Sequence, residues 1–254
     1  MRALVTAIRT LTRLPVPGTD SGNLAAALPF FPAVGTLLGL LVAGALRGLN
    51  WAEWPLGAGV IGMTLVVWLT RGLHVDGLAD LADALGAGQT RERRLAVMKD
   101  PHVGAFGVMS VVADLLLKAV ALARLAAFHQ WAAIIIAFIV SRTILVYLAV
   151  SLPYARPEGG TAGGFVDRSR PLHFVLALVV ALSCCATVAC LDRTGSAWLT
   201  GAFLLAQGLA MALLIRLWMK HHFGGITGDL LGASNEVVET GLLVFAALIV
   251  PTAS

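Results

Sequence analysis

A chain of 254 residues that is 58% hydrophobic and only 13% charged, with a mean hydropathy of +0.87, lies outside the range of water-soluble domains. The formal net charge of +4 does not point to nucleic acid, because the basic residues sit in short clusters between apolar runs, a pattern that reads as membrane topology. The runs lack the period-two alternation of barrel strands. The fold expected is therefore all-α: a polytopic transmembrane helical bundle forming a single integral membrane domain over 1–254.

The chain opens with MRALVTAIRTLTRLPVPG, in which Arg2, Arg9 and Arg13 interrupt the apolar positions and no small-residue cleavage site follows. This reads as an amphipathic helix lying on a membrane surface and ended by Pro15 and Pro17, not as a cleavable signal peptide. Apolar runs near 30–49, 55–72, 103–125, 131–152, 172–191, 197–218 and 237–251 then predict about seven spans. Cys184, Cys185 and Cys190 all fall in one of these runs, with no metal or redox spacing, and read as packing residues.

With seven spans, one side of the membrane carries Arg2, Arg9, Arg13, Arg71, Arg91, Arg93, Arg94, Lys99, Arg156, Arg168, Arg170, Arg216 and Lys220. The other side carries Arg47, Arg124 and Arg193, while Lys118 and Arg142 lie inside spans. The positive-inside rule places the first side in the cytoplasm. Three unusual polar segments share that side, so they are able to meet.

The first of them, LHVDGLADLADALG, sets Asp76, Asp80 and Asp83 at i, i+4 and i+7, on one face of a helix that is otherwise apolar. Three like charges in a row need water, a cation or a basic partner, and oxygen-rich clusters suit Mg²⁺ and Ca²⁺. A solvated acidic face on an interfacial helix is the alternative. Downstream, Arg91, Arg93 and Arg94 read as topology determinants and lipid-headgroup contacts. Lys99, Asp100 and His102 precede Gly104 and Gly107, where a lysine beside a glycine-rich turn suits phosphate, and a plain surface loop fits equally well.

Inside the spans, Asp114 and Lys118 are placed to pair at i, i+4, whereas Arg142 has no local acid and is expected to counter the carboxylates or bind phosphate. The second segment, PYARPEGG, could set Tyr154 and Arg156 over a substrate or be a re-entrant loop. The third, GGITGDLLGASNEVVE, offers Asp229, Glu236 and Glu239 behind Gly224, Gly225 and Gly228. A helix starting near Thr227 would aim its amides at an anion, although an ordinary N-terminal cap would look the same. The remaining histidines, His74, His129, His173, His221 and His222, follow no ligand pattern and are expected at the membrane interface.

The segments GLHVDGLADLADALG, MKDPHVGAFGV, PYARPEGG and GGITGDLLGASNEVVE, in this order and spacing, resemble the cobalamin synthase (adenosylcobinamide-GDP ribazoletransferase) family. RTLTRLPVPG and FFPAVGTLLG fit the same family, so the resemblance spans almost the whole chain. It implies a Mg²⁺-dependent, multi-pass enzyme of the bacterial cytoplasmic (inner) membrane with its active site on the cytoplasmic side. Such an enzyme joins adenosylcobinamide-GDP to the nucleoside α-ribazole or its 5′-phosphate and releases GMP.

By position, the resemblance implies metal at Asp76, Asp80, Asp83 and Asp229, and catalytic roles for Asp80, Asp83, Asp229 and Glu239, the last as a further ligand or the base. It implies substrate binding by Lys99, Asp100, Gly104, Arg142, Tyr154, Arg156, Gly225 and Thr227. Membrane lipid is an expected partner and nucleic acid is not, while a homo-oligomer or an assembly of pathway enzymes is left open. Asp80 and Asp83 also form a DxxD like the start of the CDP-alcohol phosphotransferase signature, but the later DxxxD is missing. The rival readings are a CDP-activated lipid phosphatidyltransferase and a cation-coupled transporter.

Overall fold

The computed structural model describes residues 1–49, 53–88, 90–156, 158–160, 162–192, 195 and 197–250. Arg193, Pro157 and the last residue of the expected 237–251 span lie outside them. Helix α1 (Arg2–Leu11) is followed by a 3-10 helix (Leu24–Phe30) continuous with α2 (Phe31–Leu49), then α3 (Pro55–Thr70), α4 (Leu73–Ala87) and α5 (Arg91–Val97). After these come α6 (Ala105–Ala127), α7 (Trp131–Ser151), α8 (Gly163–Val166), α9 (Pro171–Leu191), α10 (Ala197–Phe223) and α11 (Gly228–Ile249).

Six of these helical stretches, counting the 3-10 helix with α2, are long and apolar enough to cross a membrane, and a seventh crossing arises if α3 and α4 count as one span bent by 92°. The bend has a local cause. Arg71 and Gly72 both adopt left-handed backbone, φ 57° and 66°, and their amides fold back onto Trp68 and Val67 carbonyls at 3.3 and 2.9 Å, closing α3 as helices commonly end.

The polar segment before the last span differs from expectation. α10 runs on to Phe223, and α11 begins at Gly228, nine residues before the expected start at 237. Asp229 and Glu236 therefore sit on continuous helix. Thr227 supplies the cap, its hydroxyl accepting from Leu230 N at 3.2 Å, and this satisfies one of the orphan amides of the first turn.

α7 is the central helix: 89% of its most apolar window is buried, against 22% for α9 and for α10, which present leucines and valines outward as lipid-facing helices do. α2 closes on α7 through Gly35 and Gly39, whose missing side chains let the helix meet backbone of Phe138, Ile139 and Ile135, the small-xxx-small device of membrane helix packing.

One end of the bundle gathers the polar segments. α1 is tied there by Arg13 N donating to Leu69 O at 2.8 Å and by Arg71 Nη2 donating to Arg9 O at 2.8 Å. Ser169 Oγ, just before α9, donates to Ala149 O near the end of α7 at 3.1 Å. At the opposite end Arg124 donates to the Ala247 and Val250 carbonyls at 2.7 and 3.2 Å, placing a cation where the dipole of α11 is negative.

α4 crosses α11 at Gly77, where a Cβ would collide with the backbone of Asp229. Substituting Gly77→Val is expected to force the two helices apart at a cost of about 1–3 kcal/mol, the usual range for overpacking. Thermal unfolding of the detergent-solubilised protein should show it as a lowered midpoint.

Candidate active site

Two backbone hydrogen bonds bring distant motifs together. Ile226 N donates to Pro153 O and Ala155 N donates to Ile226 O, each at 2.9 Å, making a parallel bridge between Tyr154 and Ile226. The bridge needs Gly225, because a Cβ there would strike the Pro153 carbonyl. It sets Arg156 beside the first turn of α11, where its Nη2 donates to Asp229 Oδ2 at 2.8 Å. Arg91 Nη2 braces the same segment by donating to Ala155 O at 3.2 Å.

Asp80 sits half-buried with the charges of Asp229, Asp76 and Asp83 against it and Arg156 as the opposing cation. The close crossing at Gly77 is what carries the α4 acids to Asp229. Four carboxylates around one guanidinium leave an excess of negative charge, which favours a cation at this edge. The donor set is all oxygen, as a hard divalent ion prefers. Among the described residues no three His, Cys, Asp or Glu side chains converge as a preformed metal cage.

Asp83 has a further task. Gly104, the N-cap of α6, brings no side chain of its own; Asp83 accepts from Gly104 N at 2.7 Å and from Gly107 N at 2.8 Å. The carboxylate caps α6 from another helix, and the two glycines are the room it occupies, since a Cβ on either would meet its oxygens. Of the acids on the α4 face, Asp83 is thus the one whose oxygens are already engaged by amides.

The remaining loop residues lie around this group. Lys99 Nζ pairs with Glu158 Oε2 at 2.7 Å, but at 53% and 72% exposure such a pair is weak. Lys99 holds the Glu158 carboxyl below its ordinary range. Asp100 accepts from His102 N at 3.0 Å and meets its Nδ1 at 2.7 Å; these bonds pull its carboxyl down likewise. Burial raises the Tyr154 phenol above its usual range, with Arg156 pulling the other way. Arg94 donates to Gly88 O at 3.0 Å and meets His222 Nδ1 of α10 at 3.1 Å, so Arg91 and Arg94 also brace the chain at this end.

Three residues read from sequence as site or interface stand elsewhere. Arg142 and Glu239 are fully buried and paired with each other. Glu239 is ten residues beyond Asp229, about 15 Å along the helix, so it does not join the α4 carboxylates. It also faces Lys118 Nζ at 2.9 Å. Lys118 pairs with Glu236 and approaches Asp114 at 3.7 Å, and Thr240 Oγ1 donates to Asp114 at 2.6 Å. His74, expected at the interface, is buried and meets Asn235 Nδ2 at 3.0 Å. The physical reason is common to all of them: a charged or polar group inside the hydrocarbon layer is stable only when matched within the protein. The signal was present as polar stripes, Asn235, Glu236, Glu239 and Thr240 on α11 and Asp114 with Lys118 on α6, which had to face one another.

A helical multi-pass membrane protein with an oxygen-rich, arginine-countered site at one end of its bundle is the class that fold and site define. The chain belongs to the cobalamin-5-phosphate synthase family, whose model matches residues 3–247. A protein of Chlorobium phaeobacteroides is 45% identical over 239 residues, 94% of each chain. One of Chlorobaculum tepidum is 41% identical over 250 residues, 98% of this chain and 96% of that one. One of Syntrophobacter fumaroxidans is 39% identical over 243 residues, 94% of each. All three are named adenosylcobinamide-GDP ribazoletransferase. No solved structure matches the chain.

The buried pair makes a prediction of its own. Arg142→Met should destabilise the protein by about 3–5 kcal/mol, because Glu239 then loses a buried counter-charge. Arg142→Met combined with Glu239→Gln should regain a large part of the loss, and thermal unfolding of both variants in detergent reads the difference.

Proposed function

We propose that the chain transfers the adenosylcobinamide-phosphate part of adenosylcobinamide-GDP to a ribose hydroxyl of α-ribazole, or to one left free in α-ribazole 5′-phosphate, and releases GMP. The observation that carries the reading is the meeting of Arg156 with Asp229 at 2.8 Å. It joins the segments that most resemble the family at one carboxylate-rich point, and the relatives' shared name fits that chemistry.

The ribazole oxygen forms a bond to the cobinamide-side phosphorus as the bond from that phosphorus to the GMP oxygen breaks. Such a transfer asks the protein for positioning and charge neutralisation. Arg156 is a planar fork suited to two phosphate oxygens, and on substrate binding it exchanges part of its contact with Asp229 for the pyrophosphate. Lys99, released from its exposed pairing with Glu158, adds a second cation. Asp76, exposed and adjoining the same point, accepts the hydroxyl proton. Asp83 holds the start of α6 in place. Mg²⁺, held by Asp76, Asp80 and Asp229, would neutralise the pyrophosphate when bound.

The host membrane is the bacterial cytoplasmic membrane in this reading, with the site facing the cytoplasm, as the crowding of arginines at the site end supports. Lipid surrounds the bundle, and an assembly with itself or with neighbouring enzymes would shorten the substrates' path.

Asp80→Ala is expected to abolish GMP release from adenosylcobinamide-GDP and α-ribazole in liposomes while the protein still inserts; retained turnover would reject the site. EDTA should stop the wild type reversibly, whereas full activity in EDTA rejects Mg²⁺ dependence. Release of CMP from a CDP-lipid in the same assay would favour the lipid-enzyme rival.

Sidedness is separately measurable. With the three native cysteines replaced by serine, Glu158→Cys should react with a membrane-impermeant maleimide in inverted vesicles and not in intact cells, and the opposite result would turn the topology over.

A further inference from the structure

Beside the carboxylates, between α1, α4, α7 and α11, lies a cavity of about 220 Å³. Its inner wall is apolar: Leu28, Phe31, Leu145, Ala149 and Phe165 contribute to it. Phe31 and Phe165 stand with ring centroids 6.0 Å apart and tilted by 57°. Asp76 and Asp229, which belong to the transfer site, supply its carboxylates.

One buried polar side chain, His74, is set into the wall. Asn235 Nδ2 lies 3.0 Å from His74 Nδ1 and also donates to Glu236 Oε1 at 3.4 Å. The amide nitrogen therefore donates to Nδ1, and the ring proton is left on Nε2. The cavity thus offers apolar walls, the His74 ring and Thr10 set among them, and an acidic mouth.

We propose that this cavity seats the aromatic base of the acceptor nucleoside, an uncharged bicyclic ring with one acceptor nitrogen and no donors, and directs its ribose hydroxyl to Asp76 and Asp229. The proposal rests on the transfer reading above. Size agrees with it, since an apolar cavity of about 150 Å³ takes a benzene ring, and the larger space here admits two fused rings. The wall also discriminates. Guanine of the donor would bury several donors and acceptors without partners, at about 1–3 kcal/mol each.

The test fills the cavity from α7 with Ala149→Phe, and with the milder Ala149→Leu should the larger side chain prevent folding. Equilibrium dialysis of labelled α-ribazole against the full-length protein in nanodiscs, without donor, measures occupancy directly. Binding should weaken, and the KM for α-ribazole should rise, by about tenfold or more, as a misfit in an apolar pocket produces. The KM for adenosylcobinamide-GDP should move by less than about twofold, which separates the two subsites. The free bicyclic base should compete with α-ribazole in the dialysis, and guanosine should not. Unchanged α-ribazole binding in a folded Ala149→Leu or Ala149→Phe protein overturns the assignment, as does competition by guanosine. If the wild type turns over but the filled variants keep the acceptor KM, the cavity proposal fails alone. If the wild type binds α-ribazole in this cavity yet releases no GMP, the transfer reading fails and the cavity stands.

Discussion

Charge inside a lipid layer has to be neutralised by the protein that carries it, and this constraint organises the molecule. Lys118 on α6, Arg142 on α7 and Glu236 and Glu239 on α11 form a buried set of ion pairs joined by Asp114 and Thr240. Replacing such a set by apolar residues of the same volume often costs nothing in stability. What the pairs supply is register: of the many ways three apolar helices can slide and rotate, few match every charge. His74 and Asn235 extend the polar contact to α4, and α4 then crosses α11 at Gly77 and Gly232, where no side chain intervenes.

From that register follows the division of acids on α11. Glu236 and Glu239 lie within the bundle and are consumed as counter-ions. Asp229, at the first turn, stands at the membrane edge against Asp80, with Arg156 as its partner. The same helix thus carries structural and site carboxylates, separated by depth. The apolar cavity beside Asp76 and Asp229 is a by-product of the same crossing, since α4 and α11 form two of its sides and α7 a third.

The loops obey a different rule. Near water, ion pairs such as Lys99 with Glu158 are weak and exchangeable, which suits groups that must let go of one partner to take another. Backbone bonds hold the loops instead: the bridge at Tyr154 and Ile226, and the capping of α6 by Asp83. Arg91, Arg94 and Asp83 are given over to this positioning through their bonds to main chain.

By itself the sequence determined the membrane class, the approximate spans, the cap at Thr227 and the polar segments that cluster at one end, because hydropathy, helix periodicity and capping are local properties of the chain. The α4 face Asp76, Asp80 and Asp83 was legible for the same reason, and so was the i, i+4 pairing of Asp114 with Lys118. What each polar residue faces was decided only by tertiary structure. Arg142 and Glu239 were read as site residues, yet they neutralise each other, and His74 was read as interfacial, yet it is buried against Asn235. Asp83 reads as one of three equal acids along the chain, but the amides of Gly104 and Gly107 set it apart. A charge within a span announces that it needs a partner, and only the packing of helices far apart in sequence decides which one it finds.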